Sequence, residues 1–223
     1  NRVQVSAAPH SSACTIKLER LTVRRPDDCG AVLVRALDID ITAGRNLLVV
    51  GDNGVGKTSL FRTIAGLWRS PTGCTHIPSY GGQDRMTLCY LPQSPYCPLG
   101  TLQDAVTYPL YGQSLTSAEL RSLLSVVELE DLMGLDEAGT STTQLSISAP
   151  RNWDAMLTLS QKQRLAIARL LYHKPRFGVL DECTSTLSED MIERTYHMFA
   201  CAGITVITVS HRPKHKRFHA EVL

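Results

Sequence analysis

No apolar stretch in this chain is long: the longest uninterrupted run, Met198 to Ala202, falls far short of the ~18 residues that a membrane-spanning helix requires. Nothing in these 223 residues is therefore expected to cross a bilayer. Charge of one sign is equally scarce, since 23 Lys+Arg face 21 Asp+Glu for a formal balance of +2. Without a basic stripe, nucleic-acid binding driven by phosphate neutralisation is disfavoured, and the cluster Lys214, His215, Lys216 and Arg217 reads as a solvated tail. The seven cysteines (14, 29, 74, 89, 97, 183 and 201) are odd in number and contain no C-x-x-C pair. They read as reduced thiols facing a cytosol-like compartment, not as a disulfide frame. Internal repeats and low-complexity tracts are also missing. The sequence opens on Asn1, with no charged segment leading into an apolar one, so no signal peptide is expected and the chain reads as a piece of something longer. Its length and 43% hydrophobic content suit one globular domain, or one with a small insert.

What is present is an alternation of strands and helices. Thr15 to Val23 alternates, Ala31 to Val34 is a short apolar run, Asp38 to Ile41 alternates, and Asn46 to Val50 has the texture of a buried strand. A glycine-rich turn precedes a helical pattern over Thr58 to Trp68, Pro71 to Gly82 reads as loop, and Thr87 to Leu91 as a strand. Roughly 95 to 165 reads as a helical insert, punctuated by prolines 92, 95, 98 and 109 and containing the capping boxes Thr101-x-x-Asp104 and Thr116-x-x-Glu119. The alternation then resumes with helix Gln161 to Tyr172, strand Phe177 to Asp181, helix Ser188 to Cys201 and strand Ile204 to Val209. Such an order predicts a mostly parallel α/β sheet.

The segment Gly51-Asp52-Asn53-Gly54-Val55-Gly56-Lys57-Thr58 fits G-x-x-x-x-G-K-[ST] between a strand and a helix, the context the motif needs. Glycines let successive N–H groups curl toward phosphate oxygens, and the helix behind presents its positive end. Lys57 is expected to meet the β and γ phosphates, and the Thr58 hydroxyl to ligate Mg²⁺. A partner motif follows in Phe177-Gly178-Val179-Leu180-Asp181-Glu182, an apolar strand ending in two carboxylates. Asp181 would serve the Mg²⁺ shell and Glu182 would polarise the attacking water. Gln93 and His211 both sit just past strand C-termini, where parallel sheets collect ligand groups. His211, His215 and His219 recur at four-residue steps, but Pro213 breaks the helix a metal set there would need.

In this order the motifs resemble the nucleotide-binding domain of an ABC transporter, from about Thr15 to His219. The resemblance implies Walker A at 51–58 with Ser59 following, a Q-loop glutamine at Gln93, a signature near 157–161, Walker B at 177–181, catalytic Glu182, a D-loop at 185–188 and a switch at His211. It implies an α/β P-loop NTPase of RecA-like type, with a mostly parallel sheet core, an N-terminal antiparallel part and an inserted ABC-type α-helical subdomain. One domain would fill 1–223, with a catalytic core at about 15–93 and 166–219 and the helical insert and signature at about 94–165. Catalysis would fall to Glu182, His211, Lys57 and Gln93, with ATP held by 51–59 and Mg²⁺ by Thr58, Gln93 and Asp181.

Within that superfamily the sequence looks like subfamily D, the peroxisomal half-transporters of long-chain fatty acyl-CoA. The likeness is carried by Ser59-Leu60-Phe61-Arg62 with Leu67-Trp68, Leu91-Pro92-Gln93-Ser94-Pro95-Tyr96, Leu99-Gly100-Thr101-Leu102 and Tyr108-Pro109. It continues through Ala168-Arg169-Leu170, Tyr172-His173-Lys174-Pro175, Asp181-Glu182-Cys183-Thr184-Ser185 and Ser210-His211-Arg212-Pro213. Cys183 and Ser188 stand where other ABC domains carry Ala and Asp. The family implies a head-to-tail dimer with a second nucleotide-binding domain, a transmembrane domain that lies N-terminal to this one and is absent from this chain, fatty acyl-CoA as cargo, no nucleic acid, and a place on the cytosolic face of a peroxisomal membrane.

Two departures stand out. Counting back without gaps from Arg169 and Arg164 puts Leu157-Thr158-Leu159-Ser160-Gln161 where the family has L-S-G-G-Q/E, so both glycines are gone. Thr158, Leu159, Ser160 and Gln161 would face a partner's ATP, and Leu159 adds bulk where backbone N–H groups must approach a phosphate. Arg24 takes the place of the aromatic residue that stacks on adenine in the family, and a guanidinium can stack on a base. Asp52 replaces the more usual Pro. The competing readings are a soluble ABC protein working on ribosomes or DNA, and a regulatory nucleotide-binding module.

Overall fold

The structure is a computed structural model that describes residues 4–6, 14–25, 30–79, 86–110, 114–134, 149–210 and 212–223. In chain order, β1 (Gln4–Ser6), β2 (Thr15–Arg24), β3 (Val32–Thr42) and β4 (Leu47–Val49) lead into α1 (Lys57–Ile64). Next come β5 (Thr72–Pro78), β6 (Leu88–Leu91), β7 (Leu99–Gly100), α2 (Leu102–Thr107) and α3 (Ser117–Val126), followed by a 3₁₀ turn at Glu130–Gly134. The remainder holds β8 (Arg151–Asn152), α4 (Trp153–Met156), α5 (Leu159–His173), β9 (Phe177–Asp181), α6 (Glu189–Cys201), β10 (Thr205–Val209), a 3₁₀ helix at Pro213–Phe218 and β11 (Glu221–Val222). Two compact units result, one of Asn1–Leu91, Pro175–Glu182 and Gly203–Leu223, the other of Pro92–Lys174 and Cys183–Ala202.

The first unit carries the expected α/β pattern. Its parallel sheet has the order β11-β4-β10-β9-β6, and a second sheet has the order β1-β5-β2-β3 with β2 antiparallel to both neighbours. β9 and β10 are buried at every position, which is why they read as unbroken apolar runs. β2 instead buries Ile16 and Leu18 while exposing Lys17 and Glu19, the alternation of a strand with one wet face. Leu60, Phe61 and Ile64 of α1 join side chains of both sheets in one core. Asn46 ties three strands together. Its amide donates to Phe218 O at 3.0 Å, its side-chain oxygen accepts from Val206 N at 2.9 Å, and its carbonyl accepts from Ala220 N at 3.0 Å.

In the second unit both expected capping boxes are present, at Thr101/Asp104 before α2 and Thr116/Glu119 before α3. Trp153 is 1% exposed and donates its indole N–H to Gly100 O at 2.9 Å, which fixes the β7–β8 pair. Arg169, on the buried face of α5, donates to the carbonyls of Ala105 and Tyr96.

Several expectations need correction. Residues 31–34 and 38–41 are not two strands but one, because Thr22 Oγ1 accepts from Ala36 N and Asp38 Oδ1 from Arg20 N, carrying the register across a bulge. The stretch 71–82 is not all loop: β5 occupies 72–78, burying Thr75 and Ile77. Its Gly73 is required, since a Cβ there would lie 2.3 Å from Arg20 O. α1 ends at Ile64, short of Trp68, because Gly66 turns left-handed at φ +75°. α5 begins at Leu159, two residues before the expected start. Pro213 does not prevent a helix but opens a 3₁₀ turn, in the first position where its missing N–H costs nothing. His219, within the same segment, commits both ring nitrogens: Nδ1 donates to His215 O at 2.7 Å, so Nε2 accepts from Thr208 Oγ1 at 2.9 Å. Among the described residues no helix is long and apolar enough to cross a membrane, and six cysteines are free thiols.

Asn46→Ala removes two hydrogen bonds to partly buried backbone and is expected to lower the unfolding free energy by about 1–3 kcal/mol, measured by urea denaturation. Burial lowers the pKa values of His173 and His219 below the ordinary histidine value. The folded chain thus binds these protons less readily than the unfolded chain. The stability that they contribute is complete above about pH 6.5 and is lost as pH falls through their folded values. The urea midpoint should fall between about pH 7 and about pH 5, and it should fall less in a His173→Gln/His219→Gln variant.

Candidate functional site

The loop between β4 and α1 is shaped by its glycines. Gly56, the N-cap of α1, has φ +107°, and a Cβ there would sit 2.7 Å from Leu33 Cβ. Only glycine therefore lets the loop lie against β3. No side chain caps α1 and no acid stands in its first turn, so its leading N–H groups point at whatever anion enters the loop. Lys57 folds back over the loop, donating to Gly51 O and Asp52 O at 2.7 Å each. Gly51, Asp52, Asn53, Gly54 and Val55 are exposed around it. Ser59 continues α1, its carbonyl accepting from Thr63 Oγ1.

Thr58 and Asp181 meet. The Thr58 hydroxyl donates to Asp181 Oδ1 at 3.1 Å, and the Tyr90 hydroxyl donates to Asp181 Oδ2 at 2.8 Å. Asp181 is 3% exposed at the end of β9, so both carboxylate oxygens are satisfied inside the unit. Sequence reasoning missed Tyr90. The available signal was a lone phenol in the apolar strand Thr87 to Leu91, which pairs in parallel with β9. Burial, followed by the Asp181 carboxylate, raises the Tyr90 pKa well above its ordinary value, so the phenol stays a donor. Glu182 follows directly, half-buried and held at φ +52°, a left-handed conformation uncommon for a residue with a side chain. Arg24 is exposed at the end of β2, with its guanidinium reaching Gly30 O at 3.4 Å. His211 lies outside the described residues.

Gln93 and the signature belong to the second unit. Gln93 is exposed, and its carbonyl accepts from Gln163 Nε2 at 3.0 Å. The same Gln163 accepts from Thr186 Oγ1 at 2.7 Å and is fully buried, a tie that sequence reasoning did not foresee. Thr158 is the N-cap of α5, in a capping box with Gln161. Its hydroxyl accepts from Gln161 N at 3.3 Å and lies 3.0 Å from Gln161 Oε1, while Leu159 is 43% exposed. Ser160 is half-buried in the first turn.

A strand, a phosphate-type loop, a helix and an acidic strand end, with a hydroxyl and a carboxylate in contact, can hold a nucleotide and its cation. The ABC transporter family model matches residues 34–185. ATP-binding cassette sub-family D member 1 of Drosophila melanogaster is 39% identical over 197 residues, covering 86% of this chain and 26% of the relative. ABC transporter D family member 1 of Arabidopsis thaliana is 40% identical over 194 residues, covering 87% of this chain and 14% of the relative. The chain thus spans about a quarter or less of the length of these relatives. A bacterial Atm1-family ABC exporter with ATP bound shares the fold, with a TM-score of 0.77 at 20% identity over 100% of this chain and 39% of the exporter chain. The motif order, the Thr58–Asp181 contact and a family match over most of the chain lead to one conclusion: the chain belongs to the ABC transporter family, as an ATP-binding ATPase domain akin to sub-family D.

Proposed function

We propose that this domain binds ATP at Gly51–Ser59 and hydrolyses it to drive a sub-family D half-transporter. The observation that carries the reading is the Thr58 Oγ1–Asp181 Oδ1 contact at the head of α1. Hard oxygen donors of this kind, one of them a buried carboxylate, suit Mg²⁺, which would neutralise charge on the β and γ phosphates. Thr58 and Asp181 would hold the cation. Lys57 would exchange the Gly51 and Asp52 carbonyls for phosphate oxygens. Glu182 would accept the proton of a water attacking the γ phosphorus, with ADP as the leaving group, and His211 would steady the transferred group. Arg24 is the candidate adenine neighbour.

The nucleotide domain would pair head to tail with a second one and couple to a transmembrane portion outside this chain. The cargo would be fatty acyl-CoA, and the domain would face the cytosol at a peroxisomal membrane. The segments quoted for subfamily D, Cys183 and Ser188 among them, support that reading. The sub-family D relatives favour it over a soluble ABC protein. The signature is the weak part. Thr158 is engaged in capping its own helix, and Leu159 stands where the family has glycine. This domain's own Walker A site would be competent, while its signature would serve a partner's ATP poorly, as suits a heterodimer whose partner has the intact sequence.

Glu182→Gln is expected to lower phosphate release by about 100-fold or more while nucleotide binding persists, as measured by steady-state ATPase and equilibrium binding. Equal turnover by wild type and variant would remove Glu182 from the reaction. In the full transporter, Thr158→Ser, Leu159→Gly and Ser160→Gly together should raise ATPase. An unchanged rate would show that the missing glycines do not limit it.

A further inference from the structure

On the wet face of the β1-β5-β2-β3 sheet, three side chains of different chemistry converge. Glu19 of β2 pairs directly with Cys74 of β5, and His76 lies two residues further along the same strand, hence on the same face. The Sγ of Cys74 is 3.1 Å from His76 Nε2 and 3.7 Å from Glu19 Oε2, and His76 Nε2 is 3.5 Å from Glu19 Oε2. The three donor atoms all lie within 4.8 Å of one another.

We propose that Glu19, Cys74 and His76 bind one Zn²⁺ ion, a site separate from the nucleotide loop. Zinc bound at about 2.3 Å from sulfur and about 2.0–2.2 Å from nitrogen and oxygen in a tetrahedron spaces its ligands by about 3.4–3.6 Å. The three distances bracket that spacing, so an ion fits with shifts of a few tenths of an ångström. The donor set is sulfur, imidazole and carboxylate, which selects a borderline-soft ion and disfavours Mg²⁺ and Ca²⁺, since these take oxygen ligands. Three protein ligands leave a fourth position for water.

Charge also balances. One ion binds as the Cys74 thiol releases one proton to solvent, giving a Zn–S bond, and the thiolate and the Glu19 carboxylate then offset both charges of Zn²⁺. Desolvation and the Glu19 carboxylate raise the thiol pKa, so Cys74 keeps its proton until a metal displaces it. The neighbouring cation Lys17, paired opposite His76, is directed to Asp40 at 3.8 Å. Cys74 and His76 are the partly shielded members of the set and Glu19 the exposed one, which leaves an open path for the ion. An ion here would clip residue 19 to residues 74 and 76, adding a side-chain cross-link between the two inner strands β2 and β5, which are otherwise held by backbone pairing.

The test uses the reduced, chelator-stripped chain, with zinc chloride followed by calorimetry and thermal unfolding, and cobalt chloride followed by absorbance. One Zn²⁺ per chain is expected, together with a raised unfolding temperature and a thiolate-to-cobalt charge-transfer band. Cys74→Ser and His76→Ala should each weaken zinc binding by about 10-fold or more and abolish the zinc-dependent rise in unfolding temperature. Cys74→Ser should also remove the charge-transfer band, while its ATPase stays unchanged. Glu19→Gln, which preserves shape on an exposed strand face, should likewise weaken zinc and guards against a folding artefact. A charge-transfer band that survives Cys74→Ser, or zinc affinity and stoichiometry equal in all variants, would overturn the assignment.

Discussion

A carboxylate buried at the end of β9 constrains everything around it. Asp181 is 3% exposed, and a charge so placed costs about several kcal/mol unless it is paired or hydrogen-bonded. Its two oxygens draw donors from two directions, Thr58 on α1 and Tyr90 on β6. Those bonds fix the start of α1 against two neighbouring strands of the parallel sheet. The loop Gly51–Gly56 then has little freedom: one end hangs from β4, the other is the N-cap of α1, and Gly56 is pressed against Leu33. The placement of the loop follows in part from how one buried charge is satisfied.

The second unit solves a related problem with a neutral side chain. Gln163 is fully buried in α5, and its amide spans Gln93 O on one side and Ser185 and Thr186 on the other. A buried amide with both ends satisfied holds two loops in register at little cost. Those loops carry the expected Q-loop glutamine and the segment after Glu182. The backbone of Gln93 is thereby anchored at an exposed position.

Much of this was legible in the sequence, and the failures have physical causes. β9 and β10 were readable because strands buried on both faces are unbroken apolar runs, and the caps at Thr101 and Thr116 were readable because their chemistry is local. β5 was hidden because Gly73 and Pro78 look like turn residues, while its outward positions carry Cys74 and His76. β11 is two residues long and exists only through pairing with β4, a contact that no local pattern announces. β3 looked like two strands because its bulge is sustained by bonds across to β2, through the Thr22 hydroxyl and the Asp38 carboxylate, again a long-range effect. At the site, residue types and motif spacing pointed to phosphate chemistry. The identity of the second partner of Asp181, Tyr90, depended on which strand lies beside β9, and only the sheet order supplies that.

Lys57 has a further consequence. By lying across the carbonyls of Gly51 and Asp52, it ties the loop back on itself. In the proposed site a polyphosphate would take over a cation that already has two fixed partners, so less side-chain entropy would remain to be lost. The exchange would also free two loop carbonyls. On that proposal, occupancy of the loop would be a competition between an internal and an external set of oxygens for one ammonium group, and changes in loop backbone geometry would alter nucleotide affinity through the internal competitor.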